Sequence, residues 1–384
     1  MNILLYDIGS YTQKDLIYYL EKQGCRCTNF SYKPINNYHD ELFEKIFEGQ
    51  LHKCNYDLVM SINFSPVVAQ ICNKNNVKYI AWVYNSPINA DHIEYYQYPT
   101  SYIFLFDRSE VQQLISLGAI NIYHMPLAIN PVRLNQITIS EEDKLLYSSD
   151  ISFVGQLYDN LLPQLMSVQS NYDIGYIDGI LNTQINVYGY NFIEGMITDD
   201  LLVRMNQPLL KHSIIAEPLT RRSLAHSIAT QITRTERLAL LNLLGQFHNV
   251  DYYSTEQPAS LSHLSYKGTA CYFIDMPKIF RLSKLNLNAT LKSIQSGIPL
   301  DSLEILGCQG VLFSNYQPEL AEYFDDGVDV IIYESIEDAL CKADYYLKHD
   351  DLRIQIAQNG YQKALMHFSY PSKITNMFQV AGII

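Results

Sequence analysis

The chain has 384 residues, 48% of them hydrophobic and 17% charged, and a formal net charge of −13. That balance excludes a disordered chain, and the length calls for two domains of roughly 150–200 residues each. The negative charge argues against nucleic acid or an anionic membrane surface as the main partner, because both are polyanions.

Residues 1–7 form an apolar run ending at Gly9 and Ser10, and a helical pattern follows over 13–23. The start has no positive n-region and no long apolar h-region, so it reads as a first strand and not a signal peptide. The strand signal returns in YDLVMSI at 56–62, KYIAWVY at 78–84 and YIFLF at 102–106, with an amphipathic segment at 109–117. Near-continuous apolar strands separated by helices predict a parallel sheet covered on both faces. A first doubly wound domain over 1–130 follows. Residues 131–149 are polar and irregular and read as the interdomain linker.

DISFVG at 150–155 opens a second domain, and 160–248 is helical by pattern, most clearly in ERLALLNLL at 236–244. The α/β alternation then resumes with VDYYS at 250–254, KLNLNA at 284–289, GVLFSN at 310–315 and DVIIYE at 329–334. Helices are expected at 302–308, 335–348 and 350–366. The second domain is therefore a doubly wound unit over 150–366 with a helical insertion. The fold class is α/β, two Rossmann-like domains facing across a cleft, with ligands at the carboxyl ends of strands. Pattern alone fits a two-domain binding protein, an epimerase or a transferase equally.

Seven cysteines without CxxC or Cys/His zinc spacing predict reduced thiols and a cytoplasmic protein. No window approaches the roughly 20 apolar residues of a membrane span. The 31 tyrosines, against one tryptophan, suit either core filling or flat faces for sugar and peptide contacts.

The block SKLNLNATLKSIQSGIPLDSLEILGCQG at 283–310, the segments 311–324 and 328–365, and DISFVGQLYDNL at 150–161 resemble the CgeB-like (spore maturation) glycosyltransferases. AWVYNSP at 81–87, YIFLFDRSE at 102–110 and YHMPLAIN at 123–130 are similar to the amino-terminal half of that family, and VYGYNF at 187–192 to its middle. The resemblance implies a GT-B fold, a nucleotide-sugar donor bound mainly by the second domain and an acceptor bound by the first. It also implies a final helix, within 367–384, that crosses back to the first domain.

Glycosyl transfer must stabilise a departing diphosphate. No two aspartates are separated by one residue, and the ten histidines show neither HxH nor HxxxH spacing, so no metal site and no cofactor are expected. The alternative uses helix N-terminal amides, glycine loops and basic side chains. Gly155, with Gln156 and Tyr158 beside it, is the candidate for close approach to phosphate; a structural glycine at a strand end is the other reading. Lys284, Asn286 and Asn288 share one strand face by the period of two, with Lys284 placed to meet phosphate. The asparagines either hold a sugar hydroxyl or satisfy buried backbone. Gly297 and Pro299 form a turn into the following helix. Glu304 is expected to accept hydrogen bonds from a ribose diol, or else to favour a helix dipole. Arg234, Glu236 and Arg237 in TRTER read as a solvated face from which one arginine could reach the diphosphate.

Three positions depart from the family pattern: Asn85 stands where Asp is common, Asp301 where Arg is common, and Gln309 where Gly is usual. An Asn cannot act as a general base, so Asp91 and His92 become the candidates for that role. The expected function is a metal-independent glycosyltransferase acting from a nucleotide sugar, a UDP-sugar by base rates, on a protein or surface-polysaccharide acceptor. The alternatives are a non-catalytic GT-B protein that binds and stabilises a partner glycosyltransferase, and a carbohydrate-binding module.

Overall fold

The computed structural model describes residues 1–88 and 92–384 and divides the chain into two compact units. Met1–Asn130 and Met366–Ile384 form the first, and Pro131–Leu365 the second. Each is built on one six-stranded parallel sheet.

The first sheet comprises β1 (Asn2–Tyr6), β2 (Arg26–Phe30), β3 (Leu58–Ile62), β4 (Tyr79–Val83), β5 (Ser101–Leu105) and β6 (Ile122–His124), in the order β2-β1-β3-β4-β5-β6. β3 and β4 are buried at every residue, which is why they read as unbroken apolar runs. The helix Tyr370–Val380 belongs to this unit: Tyr370 stacks on Tyr19 with ring centroids 5.1 Å apart, and its hydroxyl lies 3.3 Å from that of Tyr84.

The second sheet comprises β7 (Ile151–Val154), β8 (Val250–Tyr253), β9 (Ser265–Gly268), β10 (Leu285–Asn288), β11 (Leu312–Asn315) and β12 (Ile331–Tyr333), in the order β12-β11-β10-β7-β8-β9. Counting from β7, this is the doubly wound order 3-2-1-4-5-6, and the direction of winding reverses between β7 and β10. Crevices at such reversals, beyond the carboxyl ends of the strands, are where these sheets take ligands.

Two features differ from expectation. Residues 131–149 do not form a bare linker. They carry the helices Pro131–Asn135 and Glu141–Tyr147, and the second is fixed by a Ser140/Asp143 capping box and an Asp143–Lys278 ion pair of 2.7 Å. The insertion between β7 and β8 has a core of its own, with Ile177, Ile193, Leu201, Met205, Leu224 and Ile228 among its members. The 27-residue helix Arg221–Phe247, about 40 Å long at 1.5 Å per residue, runs from that core into the core beneath the sheet, where Leu240, Leu241 and Leu244 pack.

Candidate functional site

The reversal between β7 and β10 is organised by one face of the long helix. Thr233, Glu236 and Arg237 lie at i, i+3 and i+4, so they project together. Arg237, 6% exposed, donates through Nε and Nη2 to the carbonyl of Ala289 at 3.0 and 2.5 Å, and through Nη1 to the carbonyl of Gln156. One guanidinium therefore ties the loop after β10 to the loop after β7. Its planar faces are covered by Phe153 and Tyr158, with ring centroids 5.3 and 4.7 Å away. All these partners are neutral.

Gly155 explains the close approach. A Cβ there would stand 3.2 Å from the Phe153 ring and 3.6 Å from Arg237 Nη1. Tyr158 turns the loop through the left-handed region at φ 64°, and its carbonyl accepts from Arg234 at 3.1 Å. Arg234 is committed to a two-point pair with Glu256 at 2.9 and 3.0 Å.

Beside Arg237 lies a second buried cation. Lys292, 7% exposed, pairs with the fully buried Glu236 at 3.2–3.3 Å, and its ammonium sits 4.0 Å from the centroid of Tyr188. Thr233 accepts from the Lys292 amide at 2.9 Å. Burial raises the pKa of Tyr188 far above its ordinary value, and the nearby Glu236 carboxylate adds to the effect. The same two causes raise that of Tyr333, whose hydroxyl donates to the Asn288 carbonyl at 2.8 Å. Arg237 and Lys292 bring two positive charges to the cluster and Glu236 one negative, with the Asp301 carboxyl within the field of Arg237.

Among the sequence candidates, Gly155, Gln156, Tyr158 and Asn288 gather at this reversal. Asn288 donates to Thr290 and Ser314 at 3.0 and 2.9 Å and so fixes the loop that Arg237 grips. Gly297 is buried in the same loop, and Pro299 is the N-cap of the helix Leu300–Gly307. Asp301, in the first turn of that helix, is exposed as a residue, yet crowding of its carboxyl by protein atoms raises its pKa, and the charge of Arg237 opposes the shift.

Other candidates lie elsewhere. Lys284 precedes β10 at the amino-terminal edge of the sheet, where ligands do not bind, and it pairs with Asp150 at 2.7 Å. Asn286 is a buried strut that donates to the Phe280 and Val311 carbonyls and accepts from Ser152. Glu304, 3% exposed, accepts from Arg133 at 2.9 and 3.1 Å and from Tyr272 at 2.8 Å, which occupies the oxygens expected to meet a ribose. His92 is exposed in the first unit, 3.3 Å from Glu94 and against the ring of Tyr38. Asp91 lies outside the described residues. Asn85 is exposed after β4, and its amide donates to Asn63 at 3.1 Å. Among the described residues there is no group of three or more side chains suited to hold a metal ion, and no helix is long and apolar enough to cross a membrane.

Residues 231–379 match the family described as glycosyl transferase-like, a span that starts within the long helix just before Thr233. The whole fold also matches solved structures of the GT-B class. Its fold is that of the GT-B glycosyltransferases. Anabaena Alr3699/HepE in complex with UDP-glucose shares 10% identity with this chain at a TM-score of 0.60, over 100% of both chains. The glycosyltransferase from Rickettsia africae ESF-5 shares 10% identity at 0.54, over 99% of this chain and 98% of that one. Sucrose-phosphate synthase from Thermosynechococcus elongatus shares 9% identity at 0.58, over 100% and 98%. At such identities the likeness is one of fold. No curated protein matches the sequence.

Sequence reading took Glu236 and Arg237 for a solvated face, with one arginine able to reach the diphosphate, and passed over Thr233 and Lys292 altogether. The signal was present in the spacing. Extending the apolar stripe of Leu240, Leu241 and Leu244 back by one and two turns lands on Arg237, Glu236 and Thr233, which places them on the buried face.

Proposed function

We propose that this protein is a glycosyltransferase that takes a nucleotide sugar, a UDP-sugar in the first instance, and seats its diphosphate at the reversal between β7 and β10. The supporting observation is Arg237, a buried cation whose bonded partners are all neutral carbonyls, at the place where a doubly wound sheet receives ligands. The complex of Anabaena HepE with UDP-glucose supports the choice of base and sugar class.

The chemistry follows from charge. When the bond from the anomeric carbon to the diphosphate oxygen breaks, negative charge grows on the leaving group. A fixed buried cation stabilises that charge more than bulk water does, because the surrounding dielectric is low and no reorganisation is needed. We propose that this replaces a divalent metal in the reaction. The acceptor, by the family resemblance, is a protein or a surface polysaccharide.

Calorimetric titration with UDP, GDP and dTDP, without divalent cation, tests the reading. Saturable binding of one of them, lost in Arg237→Met while the variant remains folded, supports it. Absence of binding by all three overturns it.

A further inference from the structure

The second unit has a cavity of about 530 Å³ that the donor reading does not use. It lies beside the edge strand β12, and its lining takes in Tyr316, just beyond the carboxyl end of β11, and Glu334, just beyond that of β12. Carboxyl ends of parallel strands are where such sheets take ligands, and the volume is that of a small-molecule pocket.

The lining is of three kinds. Phe324 and Ile332, 1% and 4% exposed, form an apolar floor, with the small, exposed Ala321 on the way in. Tyr316 supplies an aromatic wall backed by Gly189, where an added Cβ would stand 2.5 Å from the ring. The exposed Asp325, Asp326 and Glu334 and the half-buried Asp338 bring four carboxylates to the mouth.

Two ammonium groups answer those four. Lys342, itself part of the wall, pairs with Asp326 at 3.0 Å and Asp338 at 3.5 Å and donates to the Ile332 carbonyl. Lys363 pairs with Asp325 at 2.7 Å. The surplus is negative, so phosphates and nucleotides are repelled and the cavity is no second donor site. Among the described residues no three such side chains are placed to hold a metal ion. A floor of apolar side chains, an aromatic wall and an anionic mouth suit a different cation, one carried on an aliphatic stem. Lys342 shows the match: the chain's own ammonium is held between two of these carboxylates.

We infer that this cavity binds an alkylammonium ligand, a primary amine on an aliphatic stem, independently of nucleotide. The stem lies on Phe324 and Ile332 beside the Tyr316 ring, and the ammonium meets Glu334 and its acidic neighbours. Two sources share this chemistry, a free polyamine and the lysine side chain of a peptide.

Calorimetric titration of the full chain with spermidine, and separately with Nα-acetyl-lysine methylamide, is the test. It is run at about 0.15 M ionic strength, where attraction to scattered surface charge is largely screened. Saturable one-to-one binding of either amine is expected, and the tighter of the two names the source. Ala321→Trp fills the space and leaves every carboxylate in place, so it is expected to weaken the amine roughly tenfold or more. Glu334→Gln is expected to weaken it by a smaller factor. A folded Ala321→Trp protein that binds the amine as tightly as the unaltered one overturns the inference, because acidity alone then accounts for the binding. Absence of saturable binding by both amines overturns it too. UDP affinity is expected to be equal in the two proteins, and a parallel loss would overturn the independence of the cavity from the donor site.

Discussion

The guanidinium of Arg133 donates to both carboxylate oxygens of Glu304, at 2.9 and 3.1 Å, while lying over the rings of Tyr272 and Phe273. Both partners are largely buried, 15% and 4% exposed at the side chain, so the pair is a strut within the second unit. Breaking a buried pair by removing one partner costs about 3–5 kcal/mol. Glu304→Gln is expected to lower the denaturant midpoint by the equivalent of that loss or slightly less, because the amide keeps one acceptor. Nucleotide affinity, measured well below the unfolding transition, is expected to stay near that of the unaltered protein. A large loss of affinity without loss of stability would return Glu304 to the ribose.

Gln309 has a local explanation. It is the residue after the C-cap Cys308 of helix Leu300–Gly307, at φ 63°. Its amide donates to Leu306 and that of Gly310 to Ile305, each at 3.0 Å, the paired bonds of a left-handed helix stop. Glycine suits that position because it has no Cβ to strain there. Gln309→Gly is expected to stabilise the protein by about 1 kcal/mol, seen as a raised denaturant midpoint at unchanged slope. The substitution leaves nucleotide binding alone.

Gly360 sits inside the helix Asp350–His367, where alanine ordinarily gains about 1 kcal/mol of helix propensity. Here an added Cβ would stand 2.4 Å from the Asp329 carbonyl oxygen and 2.8 Å from a methyl of Leu306. Backbone cannot step aside as a flexible side chain can, and overpacking of that kind costs about 1–3 kcal/mol. The clash wins. Gly360→Ala is expected to lower stability in chemical denaturation, and a rise would show that the helix shifts freely.

Asp143 provides a pH signature. The ammonium of Lys278, then the Ser140 amide, hold its pKa down from 3.8 to about 2. A carboxylate with a depressed folded pKa favours the native state while ionised. The contribution is present above about 3.8 and is lost as the pH falls through about 2. Acid unfolding of Asp143→Asn is therefore expected to lack the part of the pH dependence that falls between those values. An unchanged acid limb would place the ion pair outside the folding balance.

The central strands were legible because they are buried on both faces. The strands missed in the sequence, β2, β6 and β9, all lie at sheet edges. β2 reads RCTNF with two exposed residues, β6 is three residues long, and β9 reads SYKG with no buried residue, so none offers an apolar run. The site was legible where it is glycine and loop, at Gly155 through Tyr158. It was not legible where charge goes inside, because Glu236, Arg237 and Lys292 are types that normally face water. Their partners, Ala289 and Gln156, act through backbone carbonyls that no side-chain pattern reveals.

The long helix has a consequence for how this protein tolerates change. Its first half packs in the insertion core, its second half in the sheet core, and the residues that hold the reversal lie at the join. The insertion is therefore a foundation for the site and not an ornament on it. Trimming residues 162–220 would leave the upstream half of a 40 Å rod, at about 1.5 Å per residue, without a bed to lie in. Fraying would then run toward Thr233 and loosen the loop it clasps, so a minimal version of the second unit must keep the helices that look most dispensable.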